Sequence, residues 1–162
     1  MWNKSFIIAV MGGLLLIAIF IPELFAGKVY FNGDMLFGFY PDFQFYKQQI
    51  LSDNSFLWTR SMLGGFPLYL DPSGSFYSPI NMVLFRYLSV FNAYIVALII
   101  GTGFLFWLTY LCARAFNVSR SGSFLAALVY TYGYHMLTWS NKLFVVNALY
   151  SLPLLFLALT NI

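Results

Sequence analysis

The sequence predicts an all-α polytopic membrane protein with about four transmembrane helices and a large outer loop of interfacial helices between the first and second. The first observation behind this prediction is composition: of 162 residues, 61% are hydrophobic and 8% are charged. A soluble domain is about 45–50% apolar and about 25% charged. So few charged side chains cannot cover a water-soluble globule of this size, which excludes a cytosolic enzyme and a soluble nucleic-acid binder.

The second observation is that four apolar stretches, uncharged except for Glu23 near the far end of the first, approach the roughly 20 apolar residues that a membrane-spanning helix needs. We place the spans at residues 6–26, 89–113, 121–140 and 143–162. Backbone groups in hydrocarbon must be satisfied within the segment, so each span is predicted to be helical. Because the chain stops inside the fourth apolar run, we expect residues 1–162 to be one membrane module from the N-terminal part of a longer polytopic protein.

The first apolar run has an alternative interpretation, because Lys4 followed by apolar residues is also typical of a signal peptide. The run is long for a signal peptide, and the sequence Leu24-Phe25-Ala26-Gly27 is a poor cleavage site. Both features favour a retained membrane anchor.

The basic residues predict the orientation in a cell membrane. The short segment between the second and third spans carries Arg114 and Arg120 and no acid, so the positive-inside rule places it in the cytoplasm. Lys4 agrees with a cytoplasmic N-terminus. Residues 27–86 then lie outside the cell, although they contain four basic residues, because long loops cross the membrane largely regardless of charge.

All acidic side chains of the chain lie in the outer loop or directly beside it. Any acid–base or metal chemistry must therefore use carboxylates from this region. The five are Glu23, Asp34, Asp42, Asp53 and Asp71. The loop is also rich in aromatic residues, which disordered segments lack. We therefore predict that the loop is folded.

The most regular part of the loop is residues 42–51, which follow Pro41, a residue suited to the start of a helix. A helix here places Phe43, Tyr46 and Ile50 on one face, the pattern of an amphipathic helix lying in the membrane interface. It is predicted to end at Asp53-Asn54-Ser55. Two turns are predicted further on, at Gly64-Gly65-Phe66-Pro67 and Asp71-Pro72-Ser73-Gly74.

The order of short motifs in the loop resembles a known family. The motifs are Gly33-Asp34, Phe39-Tyr40-Pro41, Leu63-Gly64-Gly65-Phe66-Pro67, Asp71-Pro72 and Phe76-Tyr77-Ser78-Pro79-Ile80-Asn81, followed by Leu128-Val129-Tyr130, Asn147 and Leu152-Pro153-Leu154. Together they look like the N-terminal part of the YfhO-type bacterial membrane proteins, within the broad GT-C class of polytopic glycosyltransferases. The resemblance covers nearly the whole chain and implies a GT-C-like N-terminal module.

The resemblance also implies an activity. GT-C enzymes transfer a sugar from a polyprenyl-phosphate donor in the outer leaflet to an acceptor hydroxyl, with an acidic residue of the first outer loop at the reacting centre. The implied partners are a polyprenyl-phosphate-linked sugar, a cell-envelope polymer or lipid acceptor, and membrane lipids. The resemblance does not fix the sugar.

Two aspartates are the catalytic candidates. Asp34 follows Gly33 just beyond the first span and matches the family's loop acid, so its expected role is general base or partner to a divalent metal. The structural alternative is a turn aspartate. For Asp42 the alternative is a first-turn carboxylate that complements the helix dipole, which we favour over catalysis.

A lipid phosphate needs cations, and Arg60, His135 and Lys142 are the candidates to bind it. The alternatives are that Arg60 and Lys142 extend to the interface as charged residues at span ends often do, and that His135 bonds to Tyr132 or a backbone carbonyl. The sequence contains no Cys/His cluster with metal-binding spacing and no basic stripe for nucleic acid. It predicts no resident cofactor other than a divalent metal bound at Asp34.

A non-enzymatic transporter, or a scaffold of an envelope-assembly machine, is the alternative function. Transporters place charged or helix-breaking residues near the bilayer midplane. The predicted span interiors carry no formal charge, and Pro22 and Pro153 are expected near span ends. These features favour the transferase.

Overall fold

The computed structural model describes residues 12, 15, 16, 18, 19, 22–28, 35–60, 64–68, 75–133 and 143–160. Within these residues the chain is helical, with no β-strand beyond an isolated bridge between Thr59 and Phe66. This confirms the all-α prediction for the described residues. The helices are α1 (Pro22–Phe25), a π-helical turn (Met35–Phe39), α2 (Tyr40–Leu51), α3 (Pro79–Tyr87), α4 (Val90–Ala115), α5 (Arg120–Tyr132), α6 (Leu143–Leu149) and α7 (Ser151–Thr160).

The chain divides into two compact units. Residues 29–97 form the first, here called the loop unit, and residues 1–28 with 98–162 form the second, the helical unit. Helix α4 contributes its first eight residues to the loop unit and the rest to the helical unit. The predicted outer loop, residues 27–86, is therefore most of a folded unit that also contains the first two turns of α4.

Helix α4 confirms the predicted second span as a long apolar helix. It has 26 residues, with mean hydropathy 2.1 in its most apolar window, and is the one helix of the described chain long and apolar enough to cross a bilayer. At 1.5 Å per residue it is roughly 39 Å long. The helix ends at Ala115 and is closed by a Schellman cap, in which Asn117 has φ +61° and the Val118 N–H donates to the Ala113 carbonyl.

The described residues cover the other predicted spans only in part. Residues 6–26 lie mostly outside the described residues. Helix α5 covers residues 121–132 of the predicted span 121–140, and residues 134–142 lie outside the described residues. Ser119 caps α5, its Oγ accepting from the Gly122 N–H at 3.2 Å. The four-span arrangement thus remains a prediction.

The predicted fourth span is built from two helices, α6 and α7, which are separated by a turn at Tyr150. Pro153 is the third residue of α7, and its position near a span end stays a prediction. A proline has no N–H, so the carbonyl of Leu149, four residues earlier, loses its helical donor. The Tyr130 hydroxyl of α5 donates to that carbonyl at 3.1 Å.

We predict that Tyr130 and Pro153 are energetically coupled. Tyr130→Phe alone leaves the Leu149 carbonyl without its donor and should cost about 1 kcal/mol of stability. In a Pro153→Ala background the new N–H can bond to the same carbonyl, so the second substitution should cost little. Thermal unfolding of the four proteins in detergent micelles, followed by circular dichroism, measures the coupling. Equal costs in both backgrounds would contradict this account.

Close packing between α4 and α6 depends on Gly101. A Cβ at this position would lie 2.8 Å from Cγ1 of Val146, which is fully buried. A valine side chain branches at Cβ and is stiff, so it cannot easily move away. Two residues further along α4, a Cβ at Gly103 would meet nothing within 4 Å.

Gly101 and Gly103 therefore form a matched pair for mutation. Gly101→Ala should destabilise the helical unit by about 1–3 kcal/mol through overpacking. Gly103→Ala should be neutral or stabilise it by up to about 1 kcal/mol, because alanine is the better helix former. Unfolding temperatures of both variants in the same detergent check the difference, and a Gly101→Ala protein as stable as Gly103→Ala would refute the contact.

Candidate functional site

The loop unit has an aromatic core that joins α2 to α3 and α4. Phe43 of α2 stacks on Phe85 of α3, with ring centroids 4.9 Å apart and planes 13° from parallel. The Tyr94 ring of α4 meets Phe43 edge-on at 5.3 Å. Tyr46 packs against Phe76 at 5.0 Å and Phe85 at 5.7 Å. Each such pair contributes about 0.5–1.5 kcal/mol beyond its buried area.

This core confirms the helix predicted over residues 42–51 and its apolar face. The face, however, contacts other parts of the protein and not the membrane interface that was predicted. Phe43 and Tyr46 are 2% and 0% exposed, so both lie on the buried side of α2, as predicted. The rings that cover them belong to the same unit. The face expected to lie in the membrane interface is therefore occupied by protein, and α2 is not the interfacial helix of this loop.

Tyr46 also anchors the segment before α3. Its hydroxyl donates to the Phe76 carbonyl at 2.6 Å, thirty residues along the chain. Burial raises the pKa of Tyr46 well above its ordinary value of 10.0, because the phenolate would have to be desolvated. The side chain is thus a neutral donor throughout the physiological pH range.

Lys47 connects α2 to the junction of α3 and α4. Its ammonium donates to the Phe85 carbonyl at 3.1 Å and to the Leu88 carbonyl. These carbonyls lie at the C-terminal end of α3, where intrahelical donors run out and a positive charge is stabilised by the helix dipole. The Lys47 ammonium therefore stabilises the junction between α3 and α4 by binding backbone carbonyls.

The start of α2 is preceded directly by the π-helical turn. Phe39 has helical angles, φ −65° and ψ −37°, so the turn runs into α2 without an extended capping residue. Pro41 is the second residue of α2 and has no N–H to offer the turn before it. Short π-helical segments occur often at functional sites. This one begins immediately after Asp34, which itself lies outside the described residues.

Asp42 is the described catalytic candidate, and it is buried. It lies in the first turn of α2 with 5% of its surface exposed. Because helical backbone continues upstream of α2, Asp42 does not lie at an isolated helix end, which weakens the helix-dipole alternative for this residue. A carboxylate is rarely buried without a polar or charged partner.

The remaining predicted site residues fall into two groups. His135 and Lys142, like Asp34 and Asp71, lie outside the described residues. Arg60 is exposed and follows Thr59, which exchanges two backbone hydrogen bonds with Phe66 at 3.0 and 2.8 Å. Gly64 and Gly65 have φ of +74° and +136°, so the predicted glycine turn is confirmed. Arg60 therefore lies at the start of the turn that the Thr59–Phe66 hydrogen bonds close.

The described residues contain no group of three His, Cys, Asp or Glu side chains that could hold a metal ion. Binding of a divalent metal by the loop unit therefore remains a hypothesis. It would require ligands from outside the described residues, such as Asp34 or Asp71.

A surface groove that the sequence did not indicate lies between the end of α2 and α3. Its volume is about 410 Å³, and it is lined by Ile50, Asp53, Asn54, Phe56, Met82, Val83, Arg86 and Tyr87. Arg86 donates to Asp53 at 3.1 Å across it. Asp53 has φ +50° in a Schellman cap, with Asn54 N bonded to Gln49 O, which confirms the predicted helix end. Both partners of the ion pair are substantially exposed.

Comparison of the chain with known protein families, characterised proteins and solved structures finds no match. The interpretation of the site therefore depends on its residues and on the motif resemblance.

We predict that Tyr46 makes the loop unit sensitive to alkaline pH. The phenol has an ordinary pKa near 10 when unfolded and a higher one when folded, so its stabilising effect is complete below about pH 10 and is lost as pH rises further. Tyr46→Phe should cost about 1–3 kcal/mol at neutral pH, because the Phe76 carbonyl loses its donor. The variant should then lose less stability than wild type above about pH 10.

Unfolding temperatures between about pH 7 and about pH 11 measure both effects. Tyr77→Phe is the matched control, since Tyr77 is 54% exposed and its removal should leave stability at neutral pH unchanged. A Tyr46→Phe protein with the wild-type profile would contradict the assigned bond.

Proposed function

We propose that this chain is part of a membrane glycosyltransferase of the GT-C-like class. In this proposal the loop unit lies on the outer face of the cell membrane, the N-terminus is cytoplasmic, and a sugar passes from a polyprenyl-phosphate donor to a cell-envelope acceptor. The observation that carries the proposal is that the acid-bearing loop is a folded unit with an aromatic core, in which Asp42 is buried one turn after the π-helical segment that follows Asp34.

The proposed chemistry needs one carboxylate at the reacting centre. The acceptor oxygen attacks the anomeric carbon and forms the new glycosidic bond, while the bond from that carbon to the phosphate oxygen breaks. The acceptor proton goes to the carboxylate of Asp34 or Asp42, and the polyprenyl phosphate leaves with the electron pair. General-base help of this kind contributes about 10²–10⁴-fold in rate. Arg60, His135 and Lys142 are proposed to bind the phosphate.

Exposed aliphatic side chains support a polytopic membrane arrangement. Three predicted spans each expose two large aliphatic residues four positions apart, which lie on the same side of a helix. The pairs are Leu15 with Ile19, Leu125 with Val129, and Leu155 with Leu159, all between 57% and 62% exposed. Such stripes are unfavourable in water and favourable against lipid acyl chains.

The test replaces the two acids in cells that carry the protein. Asp34→Asn or Asp42→Asn, introduced at the chromosomal copy, should lower the sugar content of the envelope polymer by about 10²-fold, because the proton acceptor is lost. Sugar analysis of purified envelopes measures the effect, and mass spectrometry of the membranes checks protein abundance. Asp53→Asn is the control, since Asp53 is 77% exposed and pairs with Arg86 on the surface. Normal glycosylation in both variants at normal abundance would reject the proposal.

A transporter is the second candidate, and the turn between α6 and α7 supports it. Discontinuous helices near the midplane line the substrate sites of many transporters, and in this candidate α6 and α7, which are separated at Tyr150, would be such a pair within the predicted fourth span. This candidate predicts that Pro153→Ala abolishes function while Asp34→Asn and Asp42→Asn retain it. The transferase proposal predicts the reverse ranking in the same glycosylation assay.

A further inference from the structure

Helix α3 has a buried side and an apolar side that the loop unit leaves uncovered. Asn81 and Phe85 are 2% and 0% exposed; Phe85 packs in the aromatic core, and the Asn81 side chain donates to the Ser75 carbonyl at 3.0 Å. Ile80, Val83 and Tyr87 are 46%, 59% and 78% exposed. Their spacing of three and four residues places them along one stripe of the helix. We call these three residues the α3 stripe.

The α3 stripe continues into the groove beside α2. Val83 and Tyr87 belong to both, and Ile50, Phe56 and Met82 extend the apolar lining. The polar groups of the groove, Asp53, Asn54 and Arg86, are those of the surface ion pair and its neighbour. The surface therefore combines a continuous apolar area with charged groups that keep access to water, the distribution found on helices that lie in a membrane interface.

The short connection between α3 and α4 limits the distance between this surface and any bilayer that α4 crosses. Leu88 and Ser89 alone separate α3 from α4. Three backbone steps span at most about 11 Å, so the end of α3 is no farther than that from the start of α4. The 26 residues of α4 are roughly 39 Å long, close to the about 40–45 Å of a bilayer with its headgroups. If α4 spans the membrane, Tyr87 is at headgroup level, where tyrosine is enriched.

We propose that the α3 stripe and the adjoining groove bind the outer surface of the lipid bilayer. The proposal relies on the membrane-spanning role of α4 that belongs to the proposed function, but not on the transferase chemistry. The apolar side chains enter the boundary between headgroups and acyl chains, typically by about 5–10 Å. Arg86 and Asp53 stay among the headgroups. The interfacial helix of the loop is thus α3 rather than α2, whose apolar face is filled by the core.

Site-directed labelling in lipid tests this proposal. The chain is purified with Cys112→Ser, single cysteines are introduced as Val83→Cys, Gln44→Cys or Ile100→Cys, and each is labelled with an environment-sensitive fluorophore in nanodiscs of phosphatidylcholine and phosphatidylglycerol. Gln44 is on the exposed side of α2 and serves as the aqueous control. Ile100 is 40% exposed in the middle of α4 and reports whether that helix crosses the membrane. Lipid-attached nitroxides and aqueous iodide are the two quenchers.

The expected result is that the Val83 label is quenched several-fold more by shallow lipid nitroxides than the Gln44 label, and several-fold less by iodide. Tyr87→Cys should repeat the Val83 pattern, so the conclusion does not depend on one variant. A Val83 label that behaves like Gln44 while Ile100 is quenched by lipid would overturn the α3 proposal alone. An Ile100 label that lipid does not quench would overturn the membrane-spanning premise as well. Efficient disulfide-linked dimerisation of the unlabelled Val83→Cys variant in nanodiscs would overturn the lipid proposal in favour of a second copy of the chain.

Discussion

The packing of Phe43 and Tyr46 against rings from three other segments is the interaction on which the loop unit depends. A loop of this length has to lose a large conformational entropy to become compact, roughly 1–2 kcal/mol for each ordered residue. The burial of Phe76, Phe85 and Tyr94 around α2 contributes much of the compensating free energy. The tyrosine hydroxyl and the lysine ammonium then satisfy backbone carbonyls that the aromatic core leaves without donors.

Much of this local structure was predictable from short-range rules. Helical spacing predicted the buried face of α2, the glycine pair predicted the turn before Phe66, and the absence of formal charge from Tyr87 to Ala113 predicted α4. These features depend on residues close together in sequence, where propensity and periodicity are informative. The termination of α2 just before Asp53 could be predicted for the same reason.

The parts that could not be predicted depend on partners far apart in the chain. An amphipathic helix has the same pattern whether its apolar face meets lipid or a neighbouring helix, so α2 was assigned to the interface although Phe85 and Tyr94 cover it. Lys47 carries no sequence sign that it binds carbonyls about forty residues away. The groove between α2 and α3 likewise arises only when the two helices pack. Of the candidate site, the sequence indicated Asp42 but not its burial.

The engagement of Lys47 has a mechanical consequence. Its ammonium holds the end of α3 and the start of α4 to the middle of α2, and the stacked rings reinforce that attachment from the other side. The first turns of α4, which belong to the loop unit, and the helix that carries Asp42 should therefore move together as one body.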